Sequence, residues 1–111
     1  MGSRKTNPDF TNGIPELLVL RLLSREPMHG YALVAKISAV TGEALQFGEG
    51  SIYPVLHKLE ADGKLTACDE AVGGRNRMVY RVTNAGLAQL EESLETWNRV
   101  VGAVQLALQG G

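Results

Sequence analysis

The sequence predicts an α+β domain that is mainly helical with one small β-hairpin. Three observations carry this. The first 62 residues contain three stretches with apolar side chains at helical spacing. Two short alternating runs then flank Gly73-Gly74. The rest is one long segment whose apolar positions recur every three or four residues. At 111 residues the chain has room for one domain and a modest core.

Residues 1–11 are polar and include Asn7-Pro8, which predicts a flexible arm. Asn12 is expected to cap a first helix, with Pro15 in its first turn, where a missing N–H costs nothing. Ile14, Leu17, Leu18, Leu20, Leu22 and Leu23 make this helix apolar on most sides, so it must be buried on more than one face. It ends before Pro27. A second helix spans about Gly30 to Thr41, with Leu33, Ile37 and Val40 on one face and Gly42 as its stop.

A third helix spans about Gly50 to Asp62 and ends at Gly63. At ~100° per residue, Ile52, Val55, Leu56 and Leu59 form its inner stripe. Gly50, Pro54, His57 and Ala61 lie opposite, with Ser51 and Lys58 on one flank and Tyr53 on the other. Pro54 is placed in the first turn, where it does little harm. Leu65–Ala71 and Met78–Thr83 are strand candidates, joined by a positively charged turn, Gly73-Gly74-Arg75-Asn76. Thr83 then caps a helix from about Asn84 to Leu108.

Three helices followed by a hairpin make the winged form of the helix-turn-helix. The expected organisation is an arm (1–11), a winged-helix DNA-binding domain (12–83) and a C-terminal dimerisation helix (84–111). In that last helix Leu87, Leu90, Leu94, Trp97, Val101, Val104 and Leu108 alternate spacings of three and four, a heptad seam. The domain can cover the first turns of the helix itself. A second copy of the chain is expected to cover the remainder.

Several function classes fall away. No apolar run approaches the ~20 residues of a membrane span, and Met1–Asp9 lacks the apolar core of a signal peptide. Cys68 is the only cysteine, so no internal disulfide can form. These features together predict a cytoplasmic protein. Cys68 reads as a small buried or half-buried strand residue rather than a redox sensor. His29 and His57 lie on separate elements with no carboxylate cluster, which is no metal-ligand spacing. No nucleophile–base pair or phosphate loop occurs, so neither an enzyme nor a cofactor is expected. The net charge of −1 is neutral on nucleic acid. Residues 48–83 carry five basic and five acidic side chains, and local potential governs phosphate binding.

His29-Gly30-Tyr31, then Ser51-Ile52-Tyr53-Pro54-Val55-Leu56-His57-Lys58-Leu59-Glu60 with Asp62-Gly63, then Arg77, Tyr80, Thr83 and Gly86, resemble the motifs of the PadR-like transcriptional regulators. The resemblance runs from about Leu17 to Leu94 and is closest to the short, small-subunit branch. Glu49 departs from the pattern. It either favours the helix dipole or repels a phosphate, and the sequence leaves both open.

With this architecture, Arg75 and Arg77 are phosphate or minor-groove candidates, because a wing projects them beyond the core. His57 and Lys58 face outward from the third helix, where a helix in the major groove meets base edges. Ser51 shares that surface. Gly50 and Pro54 lack long side chains and let DNA approach the backbone. For Tyr53, core packing and a phosphate contact stand equal. His29 and Tyr31 read as structural. Trp97 is either a bulky dimer anchor or a flat surface for a planar aromatic effector. The resemblance implies the second, since short PadR-like proteins that bind planar drugs carry a tryptophan in this helix. The whole predicts a homodimeric, ligand-responsive repressor on a pseudo-palindromic operator in double-stranded DNA. The alternative is a winged-helix protein-interaction module without specific DNA binding.

Overall fold

The computed structural model describes residues 10–110. Four helices and a three-stranded antiparallel sheet follow in the order α1 (Phe10–Arg25), β1 (Met28–His29), α2 (Gly30–Val40), α3 (Glu49–Ala61), β2 (Leu65–Val72), β3 (Arg75–Val82) and α4 (Asn84–Gly110). The fold is the expected one, helices and a hairpin followed by a long C-terminal helix. Several local expectations differ.

First, α1 begins by Phe10, so Asn12 lies inside the helix rather than at its cap, and Pro15 is buried beyond the first turn. The apolar run outweighs the capping signal because burial stabilises more than one cap. Of the expected arm, residues 1–9 lie outside the described residues, while Phe10 and Thr11 are helical. Second, Pro54 sits in the second turn of α3, which begins at Glu49. Third, Val40 is 55% exposed, although Leu33 and Ile37 of the same stripe are fully buried. The helix ends at Val40, and its last turn reaches past the core.

Fourth, the hairpin is not alone. Met28 and His29 pair with Tyr80 and Val79 and complete the sheet order β1-β3-β2. Fifth, the turn is only Gly73-Gly74, both with positive φ (59° and 82°), a backbone that side-chain-bearing residues rarely adopt. Arg75 therefore opens β3 opposite Val72, and Arg77 pairs with Glu70. Lastly, Cys68 is exposed, not half-buried.

The core lies between α1, the inner faces of α2 and α3, and the sheet. In α1, Val19, Leu20, Leu22 and Leu23 are all buried. At ~100° per residue they span about 160° of the helix, hence its apolar character on most sides. Ile52, Leu56 and Leu59 from α3 complete the core with Leu65 and Tyr80 from the sheet. Val55 packs at its edge. Burial of the Tyr80 ring pushes its hydroxyl pKa up, with Glu60 and Tyr53 adding to the effect.

Leu90 of α4 also belongs to this core, at 5% exposure, and Leu94 packs against it. Leu90 is thus spent mainly on its own chain's core. The seam divides there. Leu87 at one edge is exposed, and Trp97, Val101, Val104 and Leu108 continue down the helix, the first two half-buried and the last two exposed. No described helix is long and apolar enough to cross a membrane.

Candidate nucleic-acid interface

The outer face of α3 is built by the same periodicity that fills the core. With Ile52, Leu56 and Leu59 fixed inward, Gly50, Ser51, Pro54, His57 and Lys58 are all turned to solvent. A side chain built at Gly50 would meet only open space, so the backbone there is approachable. Glu49, the first residue of α3, is exposed at the same end and complements the helix dipole.

Two groups on this surface are engaged within the chain. Lys58 Nζ lies 3.4 Å from an Asp62 oxygen and 3.7 Å from Glu16 Oε2. Tyr53 is half-buried, its ring laid over Gly30 at the start of α2. Packing thus claims the ring for which the sequence left two roles open. The ring also lies near that of His57, with centroids 6.1 Å apart.

On the hairpin, strand alternation puts Arg75, Arg77, Val79 and Arg81 on one face, opposite Tyr80 and Val82. Glu70 is the register partner of Arg77, yet its carboxylate accepts a hydrogen bond from Arg81 Nη1 at 2.6 Å. That bond holds Arg81 still more firmly protonated. Among the described residues no ion pair engages Arg75 or Arg77. These two arginines therefore keep their charge for an outside partner.

The N-terminus of α2 joins the two surfaces. His29 caps it, accepting a hydrogen bond from the Ala32 N–H at Nδ1, 3.2 Å away. A neutral ring is needed to accept at that nitrogen. Burial, and then the charge of Arg77, hold the His29 pKa below its ordinary 6.5. The Tyr31 ring lies parallel to the same ring with centroids 6.4 Å apart, and His29 sets the helix entry as expected. Among the described residues no cluster of His, Cys, Asp and Glu could hold a metal.

At a second junction Thr83 caps α4, as expected. Thr83 Oγ1 donates to the Gly63 carbonyl (2.7 Å) and accepts from the Gly86 N–H (3.1 Å), while the Thr83 N–H donates to the Lys64 carbonyl (3.1 Å). A Cβ on Gly86 would collide with that same Lys64 carbonyl. Glycine at 86 lets the first turn of α4 lie directly against the Lys64 backbone, in the turn between α3 and β2. The motif already held Thr83 and Gly86; what it did not announce is the packing of Gly86 on the Lys64 backbone.

The model of the transcriptional regulator PadR-like family matches residues 19–92. A transcriptional regulator of Mycobacterium tuberculosis is 37% identical over 84 residues, 76% of each chain. Among solved structures, a PadR-like transcriptional regulator from Bacillus cereus superposes with a TM-score of 0.79 at 32% identity, covering 93% of this chain and 99% of its own. A PadR family transcriptional regulator from Eggerthella lenta gives 0.77 at 33% identity, covering 94% and 89%.

Proposed function

Because the chain belongs to the PadR-like family of transcriptional regulators, we propose that it is a sequence-specific DNA-binding repressor acting as a homodimer. The observation that carries this reading is the division of α3 into a fully buried stripe and a solvent face bearing Gly50, Ser51, Pro54, His57 and Lys58. A helix so held offers one face to the major groove at no cost to the core. His57 reads base edges. Arg75 and Arg77, free of internal ion pairs, hold phosphates from the wing. Lys58, itself exposed, joins them by exchanging its carboxylate partners, a weak tie.

The dimer forms along α4. Leu87, Leu94, Trp97, Val101, Val104 and Leu108 keep apolar surface outside the chain's own core. Beside Leu87 and Leu94 an open groove of about 640 Å³ runs between α1 and α4, where Arg21, Ser24 and Glu91 add polar groups to the apolar edge that a second copy covers. A two-fold dimer sets its two α3 helices about 34–36 Å apart, one turn of a pseudo-palindromic operator.

Trp97, half-buried in the middle of the seam, is the seat of a planar aromatic effector. Two rings meeting across a two-fold axis cannot fill the same space. They wedge the chains apart and leave an apolar slot suited to stacking. A ligand that prefers the wedged spacing shifts the two heads out of register and releases DNA.

The test is selection of duplexes by the full chain from a random pool. A symmetric site bound at least ~10³-fold more tightly than random DNA is expected. No enrichment refutes the DNA reading and favours the protein-interaction module. Planar dyes should quench Trp97, and Trp97→Ala should lose dye but keep DNA. Dyes that bind equally well without Trp97 leave it as a dimer anchor only.

A further inference from the structure

The contact between Tyr53 and Gly30 does more than fill space. A methyl at Gly30 would stand 2.6 Å from Tyr53 Cζ and 2.7 Å from both Cε1 and the hydroxyl. Packed atoms do not approach that closely, so the contact exists only because position 30 has no side chain. The same ring also lies near His57, with centroids 6.1 Å apart and planes tilted by 46°, within the range of aromatic contact. One ring thus bridges the buried first residue of α2 and the exposed histidine at the centre of the α3 surface. The hydroxyl lies at the Gly30 end of that bridge.

We propose that Gly30 and Tyr53 form a socket that seats α3 against α2 and aims His57, making Tyr53 a positioning residue for base reading rather than a phosphate ligand. This rests on the DNA reading above. Residues 41–48 between the two helices form only turns and irregular backbone, so side-chain contacts must set the angle between them. The core stripes resist separation of the helices. The socket, at the edge of the core, resists rotation of α3 about its own axis, the motion that would swing His57 away from a base edge.

The experiment uses the full chain and four variants: Gly30→Ala, Tyr53→Ala, the double variant, and Tyr53→Phe. Gly30 does not have a positive φ, so alanine suits its helical backbone and would ordinarily stabilise. With Tyr53 present, Gly30→Ala should instead lower the melting temperature by at least about 4 °C. In the Tyr53→Ala background the same change should be neutral or raise it. Equal losses in both backgrounds overturn the socket. All melts are run at one protomer concentration, because dimerisation makes the midpoint concentration-dependent.

Function is read on the duplex selected by the native chain against random DNA. Tyr53→Phe should keep the native discrimination and the native His57 ring proton shifts. Tyr53→Ala should move those shifts and lose discrimination to the extent that His57→Ala does, with no further loss when combined with it. If Tyr53→Phe weakens all duplexes equally and lowers the salt slope by about one unit, the hydroxyl binds phosphate and the positioning role is wrong. A native chain that selects no sequence refutes the DNA reading instead, while the melting cycle still reads the socket.

Discussion

Replacing Arg75 and Arg77 together by alanine separates wing contact from a merely solvated turn. The two side chains lie on one face of β3, two residues apart and so about 6.6 Å along the strand, and neither is tied to a carboxylate. If each neutralises one phosphate, the double variant loses two contacts. The slope of log affinity against log salt then falls by about 1.8, at ~0.9 per contact. Over a fourfold rise, from ~50 to ~200 mM, the variant should lose roughly 12-fold less affinity than the native chain. Arg81 is the internal control. Its guanidinium is already bonded to Glu70, so Arg81→Ala should change the slope by well under one unit, and Glu70→Gln should free it and steepen the slope. Anisotropy of a labelled random duplex, titrated across that salt range, measures all four proteins. An unchanged slope for the double variant, or an equal effect from Arg81→Ala, would refute the assignment of phosphate binding to the unpaired arginines.

Three further outcomes are expected. Gly86→Ala should destabilise by about 1–3 kcal/mol, because its Cβ meets the Lys64 carbonyl. Alanine elsewhere in a helix would stabilise by up to ~1 kcal/mol, so a melting temperature at or above native would remove the argument for close packing of α4. Val101→Glu with Val104→Glu should give monomers by sedimentation with the fold intact, since neither residue lies in the chain's own core. Persistence of the dimer would place the interface elsewhere. The last outcome concerns pH. Folding holds the His29 pKa below 6.5, so in that window the unfolded chain binds the extra proton. Stability is therefore full above pH 6.5 and lost as pH falls through the lowered folded value. His29→Ser supplies a cap that does not titrate, and its denaturation midpoint should fall less than native between about pH 7 and 5. Parallel pH profiles would show that the cap is not the sensitive group.

The helices were legible because each buries an apolar face at a period of ~3.6 residues. The Leu-rich α1 and the Ile52, Leu56 and Leu59 stripe announce which sides face inward and, by subtraction, which side of α3 faces out. The hairpin was legible because Gly73-Gly74 can make a two-residue turn that few pairs can. The motif from His29 to Gly86 added the family, and with it the expectation of DNA. Signals weaker than these misled. Asn12 was a plausible cap, but capping contributes ~1 kcal/mol against several buried leucines, and β1 is too short to show any alternation.

What the sequence alone determined is therefore the set of elements, their inward faces and the surface offered to a partner, all of which follow from local periodicity. Only the tertiary structure decided which residues that surface can spend. It gave Glu70 to Arg81 rather than to its register partner Arg77, and tied Lys58 to Glu16 and Asp62. It drew Leu90 into its own core, laid Tyr53 on Gly30 and pressed α4 against Lys64 through Gly86. Most of these contacts join residues far apart in the chain, and even where the partners are near, the choice among them is made by the distance and direction between side chains in the folded state. No pattern read along the sequence encodes that distance.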